Sequence, residues 1–179
     1  MKKLLALTLA ALMALALTAC GAAEEPAEEE QEPAYAGMAN PWSDVETPQE
    51  AAEGAGVGSF QVPESGTETT AGALEWSAFR CMEGIAEADG TLGEADLTVR
   101  KGLSQDDISG DYREYAAAWT QDVGCLEVLC SGPEEGRASK VTWTDGEYSY
   151  SIGLRDLEDL DADCWMDEDA VETLVSAIR

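Results

Sequence analysis

Three aspartates in one polar segment are the residues of this sequence best suited to acid–base chemistry. Asp106, Asp107 and Asp111 flank Gly110 between two apolar runs. Two carboxyl groups about 5–10 Å apart can hydrolyse a glycosidic bond when one of them is held protonated. Aspartates in such a segment more commonly cap turns, which is the simpler interpretation. We therefore predict no catalytic residue, and a hydrolase with paired carboxylates is the alternative.

Histidine is absent, which removes the most common general base and the most common zinc ligand. Asp159, Asp161 and Asp163 have the one-three-five spacing of an EF-hand calcium loop. Cys164 replaces the glycine of that loop, however, and Ala170 replaces its bidentate glutamate. A solvated acidic segment before a helix fits better, so we predict neither a metal site nor a cofactor.

Four cysteines lie beyond the amino-terminal region and raise the question of disulfides. Outside the cytoplasm cysteines oxidise when geometry allows, and Cys125 and Cys130 would face opposite sides of one continuous strand. The predicted pairs are Cys81–Cys130 and Cys125–Cys164. Four free thiols are the alternative, and a zinc site ranks below both.

A set of aromatic residues suggests a recognition face for a sugar or a peptide. Since the chain has only two phenylalanines, some of these rings must instead belong to the core. The set comprises Tyr112, Tyr115, Trp119, Trp143, Tyr148 and Tyr150.

The amino-terminal segment has the parts of a bacterial export signal. Met1-Lys2-Lys3 is basic, and Leu4–Leu17 is a Leu/Ala run shorter than the roughly 20 residues that span a bilayer. The tetrad Leu17-Thr18-Ala19-Cys20 is similar to the lipobox, at which lipid is attached to the cysteine and the signal is cleaved before it. We therefore expect residues 1–19 to be a lipoprotein signal peptide. Lipid on Cys20 would then anchor the chain to the outer face of the bacterial cytoplasmic membrane.

Charge and composition distinguish two parts of the chain after residue 19. Residues 20–37 are mainly Ala, Glu and Pro and predict a disordered acidic tether. Residues 38–179 are predicted to form a single α+β domain.

The formal net charge of −27 repels nucleic acid and anionic head groups, so we expect no nucleic-acid partner. An envelope protein or a ligand is left open as the partner.

Start and stop signals predict a helix near each end of this domain. Thr47 can cap a helix, Pro48 suits its first position, Glu50 completes a capping box and Gly56 should end it. Residues 167–178 predict a second helix, because apolar residues recur there at helical spacing and acids occupy the first turn.

The region between these helices predicts strands. Apolar residues alternate in several runs between residues 74 and 130. Asp145-Gly146 predicts a two-residue hairpin turn that pairs Trp143 with Tyr148 on one face. The elements together predict an α+β fold. It consists of an antiparallel meander of about five to six strands, with a short N-terminal helix and a C-terminal helix packed on one face.

Several motifs, taken in order, carry a resemblance to a known family. They are Asn40-Pro41-Trp42, the helix start Thr47–Ala52, Val62-Pro63, Arg100-Lys101-Gly102, Asp107-Ile108-Ser109-Gly110-Asp111-Tyr112, and the hairpin Thr142–Ile152. Over about residues 39–179 the chain resembles clostridia-type cell-surface lipoproteins with a C-terminal domain of unknown function. The resemblance implies an extracytoplasmic α+β domain on a lipid tether and supplies no catalytic residues. The four cysteines and residues 157–165 depart from the family pattern.

The leading functional hypothesis is therefore a lipid-anchored, non-catalytic binding or interaction module. It rests on the export signal, the absence of histidine and the lack of a nucleophile or metal signature. A cell-envelope hydrolase and a structural envelope protein are the alternatives.

Overall fold

An antiparallel β-sheet runs through the structure, a computed structural model that describes residues 40–103, 106–159 and 164–179. Its strands lie in the spatial order β1-β3-β4-β5-β9-β8-β7-β6, with β2 paired to β3 beside this path. The strands are β1 (Ser43–Val45), β2 (Glu68–Thr69), β3 (Gly72–Met82), β4 (Ile85–Leu92), β5 (Ala95–Gly102), β6 (Ala117–Val123), β7 (Leu126–Gly132), β8 (Lys140–Asp145) and β9 (Tyr148–Arg155).

The nine strands of the described residues exceed the predicted five to six. One reason is that Gly124, at φ +62°, turns the chain between β6 and β7, a turn that the apolar pattern alone does not reveal. Gly90, a residue type common in turns, lies inside β4 instead. A Cβ there would collide with the backbone of Glu75, where β3 bulges between Trp76 and Ala78.

Two helices accompany the sheet, α1 (Pro48–Ala55) and α2 (Glu168–Ala177). Thr47 Oγ1 accepts a hydrogen bond from the Glu50 N–H at 3.1 Å, and Gly56 ends α1 at φ +73°. The carboxylate of Asp167 accepts one from the Ala170 N–H at 2.9 Å and caps α2. Both predicted helices are confirmed. They could be predicted because each cap is formed by residues within one turn of the helix.

One face of the sheet, here called the core face, carries the apolar side chains. Register places Val99 opposite Ile152, and Ile152 opposite Val141, all three fully buried. Helix α1 packs over β3 and β4 of this face, and α2 packs beside β6. At about 1.5–3 kcal/mol for each fully buried aliphatic side chain, this packing supplies most of the driving force for folding. The opposite face, here called the polar face, carries charged and hydroxyl side chains.

The predicted hairpin forms, but its turn lies one residue further along the chain than predicted, so the predicted strand register was wrong. Gly146 and Glu147 occupy the turn, so Trp143 lies opposite Tyr150 rather than Tyr148. Gly146 takes φ +64° at the first turn position, which glycine adopts without strain. The rings of Trp143 and Tyr150 stack with centroids 5.0 Å apart on the core face.

Candidate ligand-binding groove

The chain between β5 and β6 crosses the polar face of the sheet. We call residues 106–116 the strap. Its Ile108 is buried, and its backbone accepts a hydrogen bond from Arg100 on β5, since Arg100 Nη1 lies 3.0 Å from the Ile108 oxygen. Further along, Arg113 Nη2 donates to the Leu154 oxygen of β9 at 2.8 Å. Contacts to two central strands therefore hold the strap against the sheet.

Close approach at Gly110 shapes the middle of the strap. Gly110 has φ +65°, and a Cβ at this position would collide with the Arg100 guanidinium. A side chain would therefore be strained by the backbone and obstructed by Arg100 at once. Glycine is required here because the strap lies directly on Arg100.

The carboxylate of Asp111 contacts two other side chains of the strap. Arg113 pairs with it at 2.7 Å, and the Tyr115 hydroxyl donates to the same carboxylate. Although burial opposes it, these hydrogen bonds hold the pKa of Asp111 well below its ordinary value. Burial, together with the bond to Asp111, raises the pKa of Tyr115. Asp111 is therefore ionised and engaged within the strap.

A buried glutamate lies beside the strap on the polar face. Glu87 is fully buried and forms ion pairs with Arg80 at 2.5 Å and with Arg100 at 2.6 Å. Burial and the nearby charge of Asp89 raise the pKa of Glu87 in spite of the two arginines. The Trp42 ring covers this cluster, with both guanidinium carbons 5.4 Å from its centroid.

A cavity of about 420 Å³ opens between the strap and the ends of β5 and β9. We call it the basic groove, because three arginines and one aspartate are among the residues that line it. Arg155 is exposed, and its only hydrogen bond within the described ranges is a 3.4 Å contact with Thr98 Oγ1. The lining includes Arg100, Arg113 and Arg155 with Asp111, Ser109 and Tyr112.

A smaller cavity of about 270 Å³ lies on the other side of the strap and is acidic. Asp106, Asp107 and Glu127 contribute carboxylates to it. Ser149 also lines it, and its buried hydroxyl has no hydrogen-bond partner among the described residues. Within the same residues no group of three acidic or sulfur side chains is arranged to hold a metal ion.

The predicted carboxylates come together on the strap. Asp107 pairs with Lys140 of β8 at 3.0 Å, and Asp111 pairs with Arg113. Although burial opposes it, hydrogen bonds from Ser109 and Lys140 lower the pKa of Asp107 as well. Hydrogen bonds and ion pairs thus hold both aspartates as anions that anchor the strap.

The alternative of a single aromatic recognition face is not what the structure shows. Trp143 and Tyr150 lie in the core, whereas Tyr112 is 95% exposed at the rim of the basic groove. Tyr115 belongs to the strap, and its ring centroid lies 5.7 Å from Lys140 Nζ. The preferred interpretation, that some of these rings belong to the core, is therefore confirmed for Trp143 and Tyr150.

The predicted disulfides are not formed. Cys81 on β3 and Cys130 on β7 share the core face but are five strands apart, about 24 Å at the ordinary strand spacing. A disulfide requires Cα atoms about 4.4–6.8 Å apart. Cys125 is a free, exposed thiol in the turn before β7, so the second pair, Cys125–Cys164, is absent too.

The acidic segment considered for calcium and rejected begins in a local turn and continues outside the described residues. Asp156 caps its own turn, accepting hydrogen bonds from the N–H groups of Glu158 and Asp159 at 2.8 and 3.0 Å. Asp161 and Asp163 of the calcium hypothesis lie outside the described residues, as do Cys20, the signal peptide and the tether.

Sequence reasoning missed the arginines of the basic groove. The available signal was that the domain contains only eight basic residues. Their position on one face became visible only with the strand order.

Comparisons with protein-family models, curated proteins and solved structures found no match. In the described ranges, no helix has the length and hydrophobicity to cross a bilayer.

Proposed function

We propose that this protein is a lipid-anchored extracytoplasmic domain with a non-catalytic binding role, and that the basic groove is its ligand site. The observation that carries the proposal is a concentration of positive charge. In a chain of net charge −27, five of the eight Lys and Arg residues of Asn40–Arg179 lie on the polar face or on the strap above it. They are Arg80, Arg100, Arg113, Lys140 and Arg155.

The form of the groove supports binding over catalysis. Its walls come from a rigid sheet and from a strap held by ion pairs, an arrangement that preorganises a site at low entropic cost. A glycosidase acid must be protonated at working pH, whereas Asp107 and Asp111 both have lowered pKa values. The hydrolase alternative therefore gains no support from these two carboxylates.

The cellular location of the domain, outside the cytoplasmic membrane, is part of the same proposal. The lipobox-like tetrad ending at Cys20 and the acidic segment after it support a lipid anchor and a tether. The likeness to clostridia-type surface lipoproteins belongs to the proposal as well. A purely structural envelope role would not require a cavity lined by three arginines.

Metabolic labelling tests the anchor. Cells expressing the full chain are fed an alkyne fatty acid, and the Cys20→Ser variant is compared with Cys125→Ser, which removes an exposed thiol. We expect label on the parent and on Cys125→Ser but none on Cys20→Ser. Equal labelling of both variants, or no label on the parent, would contradict the anchor.

Arginine footprinting tests the binding role of the groove. Phenylglyoxal modifies exposed guanidinium groups, and mass spectrometry compares Arg155 in the groove with Arg137, which pairs with Glu134 outside it. Low-molecular-mass envelope fractions should slow modification of Arg155 and leave that of Arg137 unchanged. If every fraction leaves both rates unchanged, the groove is not a binding site in this envelope.

A further inference from the structure

We infer that the basic groove takes a small molecule that carries an oxyanion, either a carboxylate or a phosphate. The inference rests on the proposed binding function and adds the chemical class of the ligand. Three arginines that line one cavity are the observation from which it starts.

Two of the arginines that line the groove each have a guanidinium nitrogen with no acceptor in the described ranges. Glu87 and the Ile108 carbonyl engage Nε and Nη1 of Arg100, so its Nη2 has no acceptor among the described residues. Asp111 and the Leu154 carbonyl engage Nε and Nη2 of Arg113, and its Nη1 is similarly available in the described part of the chain. Planar guanidinium donors match the geometry of carboxylate and phosphate oxygens.

Arg155 supplies the charge that is not already neutralised. Arg100 and Arg113 each contact a carboxylate, whereas Arg155 forms no ion pair within the described ranges and is exposed on the groove wall. The side chain is anchored at one end of β9, opposite Asp96 of β5. An incoming oxyanion would therefore gain its strongest new charge contact at Arg155.

Size and surroundings restrict the ligand further. A volume of about 420 Å³ falls at the small end of the range of about 300–1,000 Å³ for small-molecule sites. The exposed ring of Tyr112 at the rim offers a surface on which a sugar or a flat ring could stack. A small acidic or phosphorylated ring compound satisfies all of these features.

Titration calorimetry on the purified full chain in neutral detergent tests the inference with matched pairs of probes. Glucose 6-phosphate is compared with glucose, and galacturonate with galactose, so that each pair differs in the oxyanion. We expect saturable one-to-one binding of at least one charged probe and none of its neutral counterpart. The two pairs also distinguish phosphate from carboxylate as the preferred group.

Variants at two arginines make the test specific to the groove. Arg155→Gln should weaken binding of the charged probe at least tenfold, and Arg155→Lys should weaken it less, because charge remains but the planar fork is lost. Arg137→Gln should bind like the parent. Equal thermal unfolding midpoints of the variants would establish that Arg155→Gln still folds.

Two results would overturn the inference. One is the absence of saturable binding for both charged probes, and the other is equal affinity of Arg155→Gln and Arg137→Gln. If a neutral envelope fraction nevertheless protects Arg155 from phenylglyoxal, the binding function stands and only the ligand class is wrong. If neither experiment detects occupancy, both proposals fail.

Discussion

The Lys140 ammonium on β8 lies 3.0 Å from the carboxylate of Asp107 on the strap. The same ammonium donates to the backbone carbonyl oxygen of Asp111 at 3.5 Å, so one lysine contacts the strap at two points. Charge therefore positions a segment that has a single buried apolar side chain, Ile108, to hold it down. The basic groove depends on this arrangement, because the strap forms one of its walls.

Stability should depend on pH through Asp107 and Asp111. Both have lowered pKa values in the folded state, so the unfolded chain binds more protons below an ordinary aspartate pKa of about 3.9. Their contribution is complete above that pH and is lost as the pH falls through the lower folded values. Urea unfolding should therefore show a steeper fall in the free energy of unfolding from pH 5 to pH 2.5 for the parent than for Asp111→Asn. Equal pH dependence of the two proteins would contradict the assigned role.

Removing the buried charge of Glu87 should be among the costliest substitutions on the polar face. Glu87→Gln leaves Arg100 without its ion-pair partner beneath Trp42, and breaking a buried pair costs about 3 kcal/mol. Glu75→Gln, on exposed β3 surface, should change the free energy of unfolding by less than about 0.5 kcal/mol. Chemical unfolding measures both, and similar small losses would show that Glu87 carries little of the stability.

Gly110→Ala should destabilise the strap selectively. The positive φ and the collision with Arg100 together predict a loss of roughly 1–2 kcal/mol. Gly153→Ala is a matched control in the same groove, since a Cβ there meets nothing within 4 Å and the φ is ordinary. Hydrogen exchange should be faster across residues 106–116 in Gly110→Ala and unchanged in Gly153→Ala. Unchanged exchange in both would mean that the strap does not need glycine.

Thiol reactivity distinguishes the cysteines and tests the absence of the predicted disulfides. Burial raises the pKa of Cys130 to about 11, and Cys81 is buried beneath α1, whereas Cys125 is exposed. In the native protein, iodoacetamide should therefore modify Cys125 quickly and leave Cys81 and Cys130 unmodified. Denaturation without a reductant should then allow modification of Cys81 and Cys130. A requirement for reductant would restore the disulfide prediction.

The sequence by itself determined those features whose causes lie within a few residues. The caps at Thr47 and Asp167 form helices α1 and α2 because side chain and backbone meet within one turn. The hairpin near Gly146 arises from local turn chemistry, although its register depended on which two residues form the turn.

Only the tertiary structure decided which residues on a face become neighbours. The pairing of β5 with β9 brings Arg100 and Arg155 to one groove, although 54 residues separate them in the chain. The same strand order separates Cys81 from Cys130 by five strands. Periodicity specifies the side of a strand, whereas strand order is set by the burial of the whole sheet against both helices. The groove therefore became identifiable only once that order was known.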